Sequence, residues 1–386
     1  MKKIFAFLLI ISSATVFGQK LITKKFTSQY LNQSRDLRIY LPEGHDTDSI
    51  SNYPLAIVLD GEKLFDLYVG NAKLFAQADH APKQIVVGID MKKTRAKDVS
   101  FDPLNSKLTS FSSNFYLFIR DELIPYIEGA YKTSPFLTIV GQGTAGNFIT
   151  HFLREKLQVF NAYICINPTF APDINRQIES YKLDKLKRED NTFYFYVAGN
   201  PYKSEKRKVL TDQFGTYLKS FEVPNFHVVY NDFKTSPSTT SIYSEAMGRS
   251  FAKVFEIYSG ISKIEFEEKV KELSPPDAIT YLETKYLDIE FLFGSNIGIR
   301  PQDIFAVESI IIDKENGDYL DDFGKMILNV YPNSHLGDYY LGLYYETGKN
   351  YKRALEMYRK GYGKMDPDDP KSDLFYRNIE RVLGKR

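Results

Sequence analysis

The chain has 386 residues, 43% hydrophobic and 26% charged, with 50 Lys and Arg against 49 Asp and Glu and a single cysteine. This composition excludes a disordered chain, which needs low hydrophobicity and high net charge, and a disulfide framework, because Cys165 has no partner in the chain. A formal charge of +1 excludes a strong electrostatic pull toward nucleic acid or anionic lipid, and the length suits about two domains at roughly 150 residues each.

The first segment reads as an export signal. Met1-Lys2-Lys3 is followed by the apolar run Ile4 to Ile11 and a polar, small-residue stretch to Gly18, the order of a cleavable leader. Residues 1–18 are therefore expected to be removed, which places the mature chain in the periplasm or outside the cell. The apolar run is too short to span a bilayer of about 30 Å, and no later stretch reaches that length.

From residue 19 to about 260, short β-rich runs alternate with amphipathic stretches. Leu37–Leu41 alternates and reads as a strand; Leu55–Leu59, Ile85–Ile89, Leu137–Val140, Tyr163–Ile166, Phe193–Val197 and His227–Tyr230 are apolar strand candidates. Between them lie helical patterns, the clearest over Asn114–Tyr131. Strand–helix alternation over this length predicts an α/β domain with a doubly wound, mostly parallel sheet. Cys165 then falls inside a buried strand as a small core residue. Asp60-Gly61-Glu62 ends a central strand, on the side where such sheets take ligands, and is a candidate binding segment. The loop from Met91 to Phe111, with Lys92, Lys93, Arg95, Lys97, Asp98 and Asp102, reads either as a solvated loop or as a cover over that face.

Beyond Ile261 the strand signal stops and residues 261–386 read as helices. Leu341-Gly342, Tyr345, Ala354, Tyr358 and Gly361, with Pro367 beyond, match the spacing of a tetratricopeptide repeat. Tyr319, Phe323 and Tyr331-Pro332 suggest part of a weaker copy. Such repeats bury their faces only against neighbours, so the tail is expected to lean on the α/β domain or to dock a protein partner.

The segment that decides the chemistry is residues 137–147: a strand, the turn Gly141-Gln142-Gly143-Thr144-Ala145-Gly146, then a helix. One reading is a dinucleotide fingerprint, G-x-G-x-x-G. Against it, Asn167 stands where an acidic residue should hold the ribose. The other reading is a nucleophile elbow without its nucleophile. Arg38–Pro42, Pro54–Glu62, Val86–Asp90, Phe118–Ile127 and Tyr163–Pro168 come in an order that resembles the esterase family of enterochelin esterases and esterase D. The resemblance covers roughly residues 20–258 and implies an α/β-hydrolase fold, with a smaller helical domain appended. It also implies a G-H-S-x-G-G elbow, and here the serine falls on Gly143 and the preceding histidine on Gln142. The family's catalytic histidine should follow the last strand, where this sequence has Lys234. None of the chain's five histidines, His45, His80, His151, His227 and His335, occupies that loop. Glu205 and Asp212, near the expected acid, read as members of a solvated helix.

Acyl transfer on this fold requires an oxygen nucleophile and a base within hydrogen-bond reach, and glycine supplies neither. Thr144 follows the elbow position and is expected to point elsewhere. The sequence therefore predicts an exported, esterase-like protein that binds or scaffolds rather than hydrolyses, with Asp60, Gly61, Glu62 and Thr144 as candidate contacts for a small ester ligand. The alternatives are an ester hydrolase that uses an unconventional residue on a carbohydrate or siderophore-type ester, and a dinucleotide-binding protein. No zinc pattern, metal-ligand spacing or Walker loop is present, so no metal or cofactor is expected.

Overall fold

The computed structural model describes residues 19–189, 191–294, 297–314, 317–366 and 368–385. The leader read over residues 1–18 and the repeat position at Pro367 lie outside them. The chain divides into two compact units, one running to Leu74 and resuming over Lys83–Val254, the other formed by Phe75–Pro82 and Phe255 onward.

The first unit is built on an eight-stranded sheet in the order β1-β2-β4-β3-β5-β6-β7-β8. Its strands are β1 (Lys20–Ser28), β2 (Gln33–Leu41), β3 (Tyr53–Val58), β4 (Ile85–Ile89), β5 (Thr133–Gln142), β6 (Ala162–Ile166), β7 (Phe193–Ala198) and β8 (Phe226–Asn231). β1 pairs antiparallel with β2 and β2 antiparallel with β4, and every later pairing is parallel. This is the α/β-hydrolase arrangement. β3, β4, β6 and β7 are buried along their whole length, as continuous apolar runs require in a sheet covered on both faces. β1 gave no sequence signal: only Ile22 and Phe26 pack on the core among exposed residues that include Lys24 and Lys25. Charged residues of this kind suit the unpaired edge of a sheet.

The helices of this unit are α1 (Gly61–Gln77), α2 (Arg95–Asp98), α3 (Ser110–Leu117), α4 (Ile124–Ala130), α5 (Thr144–Ile149), α6 (Ile174–Ser180), α7 (Glu205–Lys219) and α8 (Thr239–Val254). The predicted helix over Asn114–Tyr131 is α3 and α4 joined by wider π turns over Phe118–Leu123. Pro125 offers no N–H to the carbonyl of Asp121, and the wider turns lie just ahead of that gap. Cys165 sits on β6, fully buried, with its thiol 3.3 Å from the Gly146 carbonyl; burial pushes its pKa up.

The second unit is helical: α9 (Lys263–Glu265), α10 (Pro275–Phe293), α11 (Pro301–Asp313), α12 (Leu320–Val330), α13 (His335–Thr347), α14 (Tyr351–Tyr362) and α15 (Ser372–Leu383). Pro275 opens α10 in its first turn, where a missing N–H costs nothing. Consecutive helices from α12 to α15 pack on one another. A β-carbon on Gly342 would lie 2.4 Å from the Tyr358 ring, and one on Gly361 would lie 2.4 Å from the Phe375 ring. Glycine at these two positions lets α13, α14 and α15 close around the buried Ala354, Leu355, Tyr358, Phe375 and Val382. Arg381, with Tyr358 and Lys385, holds the Glu346 carboxyl down at about 2 and ties α13 to α14 and α15.

The unit boundary at Val254–Phe255 lies a few residues before the change in sequence pattern near 260. Phe75–Pro82 is tied to the rest of this unit by long-range bonds that no local pattern carries. Arg300 pairs with Asp79, 2.9 Å at the Nη2–Oδ1 contact, and His80 Nδ1 lies 2.9 Å from Ser259 Oγ.

Gly342→Val is expected to lower the stability of the second unit by about 1–3 kcal/mol through overpacking. Gly70→Ala, in mid-α1 with open space around its β-carbon position, should raise stability by roughly 0.5–1 kcal/mol. Urea unfolding of the two variants beside the parent checks both signs.

Candidate functional site

The site lies at the C-terminal ends of β3 and β5. β5 leaves the sheet at Gln142, and Gly143 turns the chain into α5 with φ 56° and ψ −125°. This is the sharp strand-to-helix turn of a nucleophile elbow, in a conformation that costs a side-chain-bearing residue about 1–3 kcal/mol and glycine very little. The turn is pinned from both sides: the Gly143 N–H donates to the Ile166 carbonyl at 3.2 Å, and the Gly143 carbonyl accepts from the Thr169 N–H at 2.8 Å. The flanking glycines serve packing. A β-carbon on Gly141 would lie 2.6 Å from the Ala145 carbonyl oxygen, and one on Gly146 would lie 3.0 Å from Pro168 Cβ. Their spacing thus fits the dinucleotide pattern, while their surroundings are protein rather than an open phosphate cradle.

The space beside Gly143 belongs to an arginine. A β-carbon on Gly143 would meet Arg95 Nη2 at 3.3 Å. Arg95 Nε donates to Asp60 Oδ1 at 2.5 Å and Nη2 to Asp60 Oδ2 at 3.2 Å. Nη2 also donates to the Gln142 carbonyl and Nη1 to Thr144 Oγ1, both at 2.8 Å. Asp60 is fully buried, while the Arg95 side chain keeps 27% exposure. A second ion pair aims this arginine. Arg35 on β2 donates to Asp98 Oδ1 at 2.6 Å and also bonds Thr94, and Thr94 Oγ1 donates to Asp98 Oδ2 at 2.6 Å. Both partners are about 95% buried or more, at 3% and 4% side-chain exposure, so the short helix α2 is fixed at both ends of Arg95.

The sequence candidates fall into place around this pair. Asp60 lies just beyond the end of β3 with φ 52° and bonds Arg95. Gly61 packs against β4, where a β-carbon would lie 2.8 Å from the Ile89 nitrogen. Glu62 accepts the Met91 N–H at 3.1 Å. These three residues close the strand end by bonds within the protein. Gln142 Oε1 accepts from the Tyr243 hydroxyl at 2.9 Å; Asn167 Nδ2 lies 3.3 Å from the same hydroxyl, and Asn200 Nδ2 donates to Asn167 Oδ1 at 3.0 Å. Behind the elbow, then, runs a chain of neutral amides and a phenol. Lys234 is 67% exposed and paired with Asp232 at 2.7 Å. Glu205 opens α7 and pairs loosely with Lys208, and Asp212 accepts from the Tyr230 hydroxyl.

The histidines are committed elsewhere. His151, buried after α5, meets Gln177 Nε2 at 2.9 Å, and burial pushes its pKa down to about 3. His227 on β8 stacks on Tyr194, His80 bonds Ser259, His45 bonds Asp46, and His335 lies near Asp369. The Thr144 hydroxyl accepts from a guanidinium, whereas an activated nucleophile must give its proton to a base. Arg95, Tyr243 and Asn200 were not legible as site residues: no spacing links them to the elbow, and Arg95 stood among other cations of its loop; Asn167 was placed by spacing only as the residue standing where a ribose-binding acid is wanted.

Residues 28–213 match the family described as "Putative esterase". The matched segment belongs to that family. The esterase-family segment is the part of the chain that carries the elbow, Asp60 and Arg95. A solved structure of an uncharacterised protein from Capnocytophaga ochracea is similar over 95% of this chain and 100% of its own, with a TM-score of 0.82 and 25% identity. An IroE-like serine hydrolase from Shewanella oneidensis is similar in fold, with a TM-score of 0.58 and 20% identity over 81% of this chain and 98% of its own. The uncharacterised protein YjcH of Bacillus subtilis is 22% identical over 174 residues, 44% of this chain; the chain spans 66% of that relative's length.

Removing Arg95 leaves Asp60 buried and unpaired. Arg95→Leu is expected to cost about 3–5 kcal/mol, and Asp60→Asn combined with Arg95→Leu to recover most of that loss in chemical unfolding. His151 sets a pH dependence. Its folded pKa of about 3 lies below the ordinary 6.5, so below pH 6.5 the unfolded chain takes up a proton that the folded chain refuses. The contribution is intact above pH 6.5 and falls by about 1.4 kcal/mol per pH unit toward pH 3. His151→Gln should flatten the stability–pH slope in that window by about one proton.

Proposed function

We propose that this chain is an exported, esterase-fold protein that binds a ligand or partner without hydrolysing it. The observation that supports the reading is the elbow itself. Gly143 holds the turn of a nucleophile without a side chain, and a guanidinium occupies the adjoining space. In triad hydrolases, loss of the nucleophile alone lowers turnover by on the order of 10⁶. Here the expected histidine position is also taken, by the exposed Lys234, and the groups around the elbow are a phenol, Tyr243, and an amide, Asn167, with no imidazole or carboxylate among these contacts.

Export rests on the leader pattern of residues 1–18, and the mature N-terminus of protein recovered from its source reads it directly. The tetratricopeptide-like tail is the candidate partner-docking region, with Gly342, Ala354, Tyr358 and Gly361 forming the tight seam between α13, α14 and α15. Among the described residues no helix is long and apolar enough to cross a membrane.

The test is chemical. The purified chain should fail to label with a fluorophosphonate probe and should turn over short p-nitrophenyl esters no faster than buffer. Gly143→Ser alone should remain inactive, because the new hydroxyl would face Arg95 rather than a base. Turnover well above buffer that a single substitution abolishes would establish an ester hydrolase using an unconventional residue.

A further inference from the structure

We propose that the elbow binds a small carboxylate, held by Arg95 and Thr144 on the solvent-facing side of the guanidinium that lies beside Gly143. The inference deepens the non-hydrolytic reading and rests on it. A guanidinium has five N–H donors in a fixed fork. In Arg95, Nε and Nη2 spend three of them on Asp60 and the Gln142 carbonyl, and Nη1 spends one on Thr144. The second N–H of Nη1 has no acceptor among the described residues. Thr144 Oγ1 accepts from Nη1, so its own hydrogen points away from Arg95. Two donors, one on Arg95 and one on Thr144, therefore stand side by side; the Arg95 side chain retains 27% exposure, and neither donor has an acceptor among the described residues.

Two adjacent donors, one of them cationic, match the two oxygens of a carboxylate. Hydrogen bonds that involve an ionised partner are roughly twice as strong as neutral ones. An ester offers one good acceptor and no charge, so the substitution that removes the nucleophile also reverses the preference, from a neutral ester toward an acid. The fork is preorganised: Asp60 holds it from behind, and the Arg35–Asp98 pair fixes the helix that carries it. The exposed charges of the same segment lean cationic, with Lys92, Lys93 and Lys97 against Asp90, while Asp60 and Asp98 are already paired. Inorganic phosphate, with more charge and more acceptor oxygens, would leave part of its demand unmet by two donors.

The experiment is titration of the full mature chain by calorimetry and by amide chemical shifts, with benzoate and propionate against benzamide, methyl benzoate and inorganic phosphate. Benzoate should bind at least about tenfold more tightly than benzamide or methyl benzoate, and added salt should weaken it. Thr144→Val, which leaves the Arg95–Asp60 pair intact, should weaken benzoate roughly tenfold while the melting temperature stays near the parent's. Arg95→Lys, which keeps the charge and loses the fork, should weaken it further. Equal binding of acid and amide, phosphate binding as tight as benzoate, an unaffected Thr144→Val, or no saturable binding would each overturn the inference. Ester turnover by the same preparation would instead remove the non-hydrolytic reading, so the two failures are distinguishable.

Discussion

One buried carboxylate governs the ends of the central strands. Asp60 is wholly enclosed, and a carboxylate in such surroundings is tolerated only with a partner of good geometry. Arg95 supplies that partner through two parallel donors, and two more of its donors reach Gln142 and Thr144 on either side of the elbow. β3, α2 and the β5–α5 turn are thereby joined by one side chain. The Arg35–Asp98 pair repeats the device one layer further out and keeps α2 from carrying Arg95 away. Electrostatic complementarity here does the locking that apolar packing does deeper in the sheet.

That lock and the glycine at 143 are two sides of one arrangement. A hydrolase elbow keeps its nucleophile in a strained backbone conformation because the chemistry repays the strain. Gly143 keeps the conformation, pinned by Ile166 and Thr169, without the strain, and it leaves a volume that a planar cation can enter. The family match over residues 28–213 identifies the scaffold; activity is a property of the residues placed on it.

Much of the scaffold was legible because its signals are local. Six strands announced themselves as apolar runs and β2 by alternation over Leu37–Leu41, and Gly141 to Gly146 marked the turn. β1 did not, since an exposed edge strand is under no pressure to alternate: Lys24 and Lys25 stand where an inner strand would be apolar. At the elbow, the turn at Gly143 was legible, and the arginine that fills the space beside it was not. Arg95 meets Asp60 across 35 positions and Tyr243 meets Gln142 across 101, and such pairings depend on the sheet order rather than on any spacing in the chain. Asp60, Gly61 and Glu62 illustrate the opposite limit. Their place at a strand end is readable from sequence, but whether their polar groups are free or spent is decided by neighbours on β4 and α2.

The helical unit is not a simple tail. Its buried Arg300 is neutralised by Asp79, 221 positions earlier, and the segment Phe75–Pro82 is as much its property as the helices beyond Phe255. During synthesis that segment emerges long before its partners exist, so the unit cannot be completed until nearly the whole chain has been made. A protease cut at the Val254–Phe255 junction would likewise yield a fragment that carries an orphaned guanidinium in place of a self-sufficient domain. The two units are separate as compact bodies and inseparable as products of one chain.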